Sequence, residues 1–328
     1  MNERLPYPGD FAPDYTEDLR QYIEELKLPE ASVSEPGLLL MNKLLRDIYY
    51  SYGDEDSENY HAYHNDMHGK SVIRNAWQIL TIIREVAPER VGPRDFEIAG
   101  IAAAGHDYYQ DFTEYGRNES ESARIVDYEM EAMGYDAEDR RRAVNAITAT
   151  IVSVEDGKVQ QVHVRSNPDK DPVVLAVATG DVNGIAINGV PAMARDVLNL
   201  VAERQHTRPL DLRDPAALVR ELRNQIVFFG NRLDVVEPDL AAYFSPDEVK
   251  EIRKLYNKKF GKVGSEAIRV ASKMAKFYPA AADVVNQMMS GQAQTAIEMT
   301  EALTRGLRRW NGAPDTTDRQ DGQEGKVS

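Results

Sequence analysis

Apolar residues recur at helical spacing along most of the chain. Leu19, Tyr22, Ile23 and Leu26 mark a first helix, and residues 38–50 a second. Residues 53–57 form a polar break. From about Asn59 to Val86 the pattern is helical again, with Val72, Ile73, Ala76, Ile79, Leu80 and Ile83 on one stripe; Pro88 and Pro93 close the segment. Residues 96–105 are nearly all apolar and predict a helix buried on every side. Residues 108–117 read as a loop, with Asn118 as the next N-cap and Glu121 as its capping-box partner. Helices over 120–133 and 137–153 follow. Residues 157–172 read as a polar loop, with a small β excursion over 157–164. Residues 173–180 are an apolar run ending on Asp181. Amphipathic helices are predicted over 191–205, 215–233 and 247–260, and residues 265–310 add one or two more. Residues 1–16 read as an extended arm, and the nearly apolar-free residues 311–328 as a disordered tail. No series of alternating β-branched segments, internal repeat or strong linker interrupts this pattern. The expectation is one all-α domain over residues 17–310, a multi-helix bundle with N- and C-terminal helical additions.

Composition narrows the chemistry. The 328 residues are 42% hydrophobic and 28% charged, enough for a packed core. A net charge of -15 repels phosphate backbones and disfavours extended nucleic acid as a partner. A small anion would need a metal or a local basic cluster to draw it in. There are no cysteines, so any metal must be held by His, Asp, Glu or water. No apolar leader and no 18-residue apolar stretch occurs, so the expectation is a cytoplasmic protein without membrane contact.

Only six histidines are present, and three fall within residues 60–68. His64 and His68 are four apart, which on a helix places both imidazoles on one face. Such a pair suits metal binding or acid–base work, and is also found as ordinary core or surface histidine. His106-Asp107 follows the apolar helix directly. Buried charge there needs compensation, which a cation supplies; the alternative is a helix-terminal His with Asp capping the next element. Asp181, delivered by an apolar run, points at something positive or caps a turn.

The order of these features resembles the HD-domain superfamily of metal-dependent phosphohydrolases, and within it the class I 3',5'-cyclic nucleotide phosphodiesterase domain. Residues 63–68 are similar to its YHNxxH motif, residues 102–107 to its apolar helix ending in HD, and residues 178–181 to its later metal-binding Asp. The resemblance covers about residues 60–235. It implies that His68, His106, Asp107 and Asp181 hold a divalent cation (Zn, Mg, Mn or Fe), that Asp107 bridges to a second, and that metal-activated hydroxide attacks phosphorus. His64 would protonate the leaving group, with Asn65 supporting it. Gln225 and Phe229 would contact a nucleotide base; as core-stripe neighbours they also have a plain packing role. One departure stands out. The family continues HD as HDxxH, and this chain has Gln110 there, with His163 as a possible substitute from a loop. The implied activity is hydrolysis of a small phosphodiester, the alternatives being a nucleotide or phosphomonoester phosphohydrolase and a catalytically weak nucleotide-binding module. The C-terminal helices are the surface through which a homo-oligomer would form.

Overall fold

The computed structural model describes residues 13–54, 57–111, 114–155, 158–206 and 239–263, together with 265, 266 and 269. In chain order its helices are α1 (Thr16–Leu26), α2 (Glu35–Ile48), α3 (Asp66–Val86), α4 (Pro93–Gly105), α5 (Arg117–Ala132), α6 (Ala137–Thr148), α7 (Val162–Ser166), α8 (Pro172–Val182), α9 (Gly184–Arg204) and α10 (Pro246–Tyr256). The protein is an all-α multi-helix bundle. Its one β element among the described residues is a hairpin of two three-residue strands, β1 (Ser153–Glu155) and β2 (Lys158–Gln160), which meets the expected excursion near 157–164.

The interior is built on α3, which packs against both α4 and α8. The predicted α3 stripe is buried throughout, and Trp77 joins it, donating its indole N–H to the Phe96 carbonyl at 2.7 Å. Every residue of α4 from Asp95 to Gly105 is buried, as its composition predicts. Its small side chains allow helices on several sides: α2, α3, α6 and α8 all pack on it. At Gly180 of α8 an added Cβ would stand 2.9 Å from the Ala76 backbone nitrogen. Only glycine permits that approach, and it draws the end of α8 onto α3.

Three boundaries differ from expectation for local reasons. α3 begins at Asp66 rather than near 59, because the Asn65 side chain accepts the Met67 and His68 N–H groups and caps the helix. α5 begins at Arg117, with left-handed Gly116 as its cap (φ 74°). Asn118 is therefore not the N-cap; its side chain turns back to the preceding loop. α6 ends at Thr148, short of the expected 153, and the chain turns into the hairpin.

Arg142 ties helices together. It pairs with Asp95 of α4 at 2.6 Å and, through two nitrogens, with Asp171, the N-cap of α8, at 2.6 and 2.9 Å. Removing the guanidinium strands two largely buried carboxylates. Arg142→Ala is expected to lower unfolding free energy by about 2–4 kcal/mol, measured by denaturant titration. A change under about 0.5 kcal/mol would show the tie to be inert.

Candidate metal centre

Three helices deliver the candidate ligands to one point. His68 sits in the first turn of α3, His106 and Asp107 follow the last residue of α4, and Asp181 lies in the last turn of α8. The His68 Nε2 is 3.1 Å from Asp181 Oδ1 and 3.5 Å from Asp107 Oδ2. The His106 Nε2 is 3.1 Å from Asp107 Oδ2 and 3.6 Å from Asp181 Oδ1. Ligand-capable atoms of His68, His106 and Asp107 all lie within 4.8 Å of one another. All four residues expected from sequence are thus brought together.

The donor set fits a divalent cation. His106 donates its Nδ1–H to the Ala103 carbonyl at 2.8 Å, which leaves Nε2 as a lone pair facing the cluster. That Nε2 and Asp107 Oδ2 are both buried and make no hydrogen bond. Their charges face each other at 3.1 Å, and buried polar atoms that make no hydrogen bond are costly unless something charged satisfies them. Burial works against ionisation of His106, Asp107 and Asp181, yet their mutual attraction prevails. It holds the His106 pKa well above the ordinary value and both carboxyls below theirs. A proton on His106 and a cation among the four groups answer the same excess of negative charge.

His64 lies off the helix, in the loop before the Asn65 cap, so its spacing to His68 is not a shared helical face. Its ring still sits beside the cluster, 6.0 Å centroid to centroid from His68. Tyr63 packs on both rings. The partner of His64 is Glu203 at the end of α9, 2.5 Å from Nδ1. The same carboxylate accepts the backbone N–H groups of Tyr63 and His64 at 2.8 and 2.9 Å. Burial disfavours charge on His64, but this carboxylate outweighs it and raises the pKa to about 9. Burial likewise opposes ionisation of Glu203, and hydrogen bonds from His64 and the backbone bring it down to about 2. Sequence reading missed Glu203. The one available signal was an acidic residue in the last turn of a helix, where the macrodipole disfavours it.

Asn65 supports the site structurally: besides capping α3, its amide donates to the His61 and Ala62 carbonyls and holds the loop carrying His64. Gln110 is committed at both ends of its amide, donating to the Asp107 carbonyl at 3.2 Å and accepting from Asn118 at 3.1 Å. It braces the turn that carries Asp107. His163 is exposed on α7 and is not among the groups gathered here. A cavity of about 370 Å³ opens beside the cluster, with His68 and Asp181 in its wall; among the described residues Arg195 is the one Lys or Arg side chain in its lining, paired with Asp196 of the same lining at 2.9 Å. Gln225 and Phe229 lie outside the described residues, as do the arm over 1–12, the predicted 215–233 helix, and residues 270–328. Among the described residues no helix is long and apolar enough to cross a membrane. Comparison with family models, with curated proteins and with solved structures finds no match to this chain.

Proposed function

We propose that this protein is a metal-dependent phosphohydrolase acting on a small phosphodiester. The observation that supports the reading best is the convergence of two imidazoles and two carboxylates, with the His106 Nε2 and Asp107 Oδ2 buried and unbonded at its centre. His68, His106, Asp107 and Asp181 would hold the cation; a mixed nitrogen and oxygen set accepts Zn, Mn, Fe or Mg. When bound, such an ion supplies Lewis acidity and brings the pKa of water towards neutrality.

The chain's own residues supply the rest. Glu203 fixes the His64 ring through Nδ1, and the imidazolium would pass its proton to a leaving-group oxygen. The raised pKa keeps His64 protonated at neutral pH, the state a general acid needs. The cavity beside His68 and Asp181 has room for a small molecule, and its Arg195 would orient an anionic group. A second reading, a phosphomonoesterase, keeps the same metal centre and changes only the substrate that the cavity takes.

A substrate panel separates the readings. With manganese supplied, bis-p-nitrophenyl phosphate and cyclic nucleotides are expected to turn over faster than p-nitrophenyl phosphate. A preference for monoesters moves the assignment to the second reading. Metal binding with no turnover of any phosphoester would leave only a binding module.

A further inference from the structure

The cavity beside the metal centre has walls that the four candidate ligands do not account for. His68 and Asp181 mark its metal end, and Asp66 and Asp196 bring two further carboxylates to its lining. Against them stands the guanidinium of Arg195, which is already engaged. Its Nε and one terminal nitrogen both reach Oδ1 of Asp196, at 3.0 and 2.9 Å, and Oδ2 makes no hydrogen bond among the described residues. The wall therefore presents a positive and a negative group side by side. Tyr49, Tyr60 and Tyr63 make another part of the lining aromatic, and Met67, a large apolar side chain left exposed, lines the cavity as well. A second phosphate on the substrate would meet three carboxylates and a guanidinium committed to one of them, so a nucleoside polyphosphate suits this space poorly. An alkylammonium meets the reverse. Aromatic rings attract a cation through their quadrupole, a carboxylate adds a charge partner, and a thioether packs well on methyl groups.

We propose that the cavity takes a zwitterionic phosphodiester, an ester of an alkylammonium alcohol of the phosphocholine type, with its phosphate toward the metal centre and Arg195 and its ammonium among Asp196 and the tyrosines. The inference rests on the phosphodiesterase reading above and names the substrate of that same site. In the hydrolysis the water oxygen bonds phosphorus, one ester P–O bond breaks, and the departing oxygen takes the His64 proton. A proton shed by the water restores His64, and the products are an alcohol and a phosphomonoester. A volume of about 370 Å³ lies at the small end of ligand cavities and fits a head group with a short alcohol.

Choline and its uncharged isostere 3,3-dimethylbutanol share a shape and differ in charge. In calorimetry on the full-length protein, choline is expected to bind at least about 10-fold more tightly. With manganese supplied, p-nitrophenylphosphocholine is expected to exceed bis-p-nitrophenyl phosphate in kcat/KM by at least about 10-fold. Asp196→Asn is expected to bring that ratio toward one by raising KM for the choline ester, with thermal melting to show that the variant folds. Glycerophosphocholine and phosphatidylcholine vesicles separate the sources of the head group: turnover of the first supports a soluble diester, and turnover of the vesicles alone supports a lipid. Equal binding of choline and dimethylbutanol, or no preference for the choline ester, would overturn the ammonium site and leave the phosphohydrolase reading standing. An unchanged ratio in folded Asp196→Asn would overturn the role of Asp196. Choline bound tightly with no phosphoester cleaved would overturn the phosphodiesterase reading and keep the ammonium specificity of the cavity.

Discussion

Asp107→Asn is expected to abolish tight retention of the divalent cation and to lower phosphoester turnover by at least about 10³-fold, with helix content unchanged. The residue is chosen because its Oδ2 lies within 3.5 Å of the Nε2 atoms of both His68 and His106. Asparagine keeps the shape and one oxygen but loses the charge that makes the site attractive to a hard cation. Lewis-acid stabilisation is worth several kcal/mol, and about 4 kcal/mol corresponds to roughly 10³-fold in rate. Binding is linked to folding, so manganese at 100-fold over its dissociation constant should stabilise the wild type by about 2.7 kcal/mol and leave the variant almost unmoved. Metal analysis, melting with and without manganese, and kcat on the best panel substrate check the three parts. A variant that keeps both metal and turnover would remove Asp107 from the centre.

The second large effect is expected at Glu203, which touches none of the four candidate ligands in the contacts described above. His64→Ala should reduce kcat by about 10²–10⁴-fold, the usual worth of a positioned general acid. Glu203→Gln should reduce it less at low pH and change the pH profile, which a merely structural role would not do. The raised His64 pKa means its proton is retained until pH rises through about 9. The stabilising effect of that pairing is complete below the ordinary histidine value and lost through the raised one. Glu203, lowered to about 2, contributes above the ordinary carboxylate range and loses its contribution as pH falls through that value. With the carboxylate neutralised, only the charges of Asp107 and Asp181 oppose burial, and the His64 pKa should fall from its raised value. The alkaline limb of kcat then moves down from near pH 9, and a histidine titration by NMR on the metal-free protein should show the same displacement. An unchanged limb in Glu203→Gln would sink the assignment of His64 as the acid.

The legible parts of this protein were the local ones. Periodicity placed α3 and its buried stripe, and composition alone marked α4 as buried on every side, because both properties belong to contiguous residues. The order of His68, His106-Asp107 and Asp181 named the four groups before any geometry. What stayed hidden depended on residues far apart in sequence. The partners of Arg142, Asp95 and Asp171, come from two other helices. His64 looked like a helical neighbour of His68 until the Asn65 cap ended the helix between them. Glu203, 139 positions from His64, gave no pattern at all.

The sequence by itself determined that the chain is helical, where most of its core lies, and which side chains have metal-binding chemistry. Those facts follow from side-chain polarity and helical repeat, which act over a few residues. Only the tertiary structure decided that the four groups meet, since this required Gly180 to let α8 close on α3 and the end of α4 to reach the same point. It also decided that His64 takes its charge from Glu203 and that Gln110 faces its neighbours. Contacts between distant segments are set by packing, and no local rule of polarity or period encodes them.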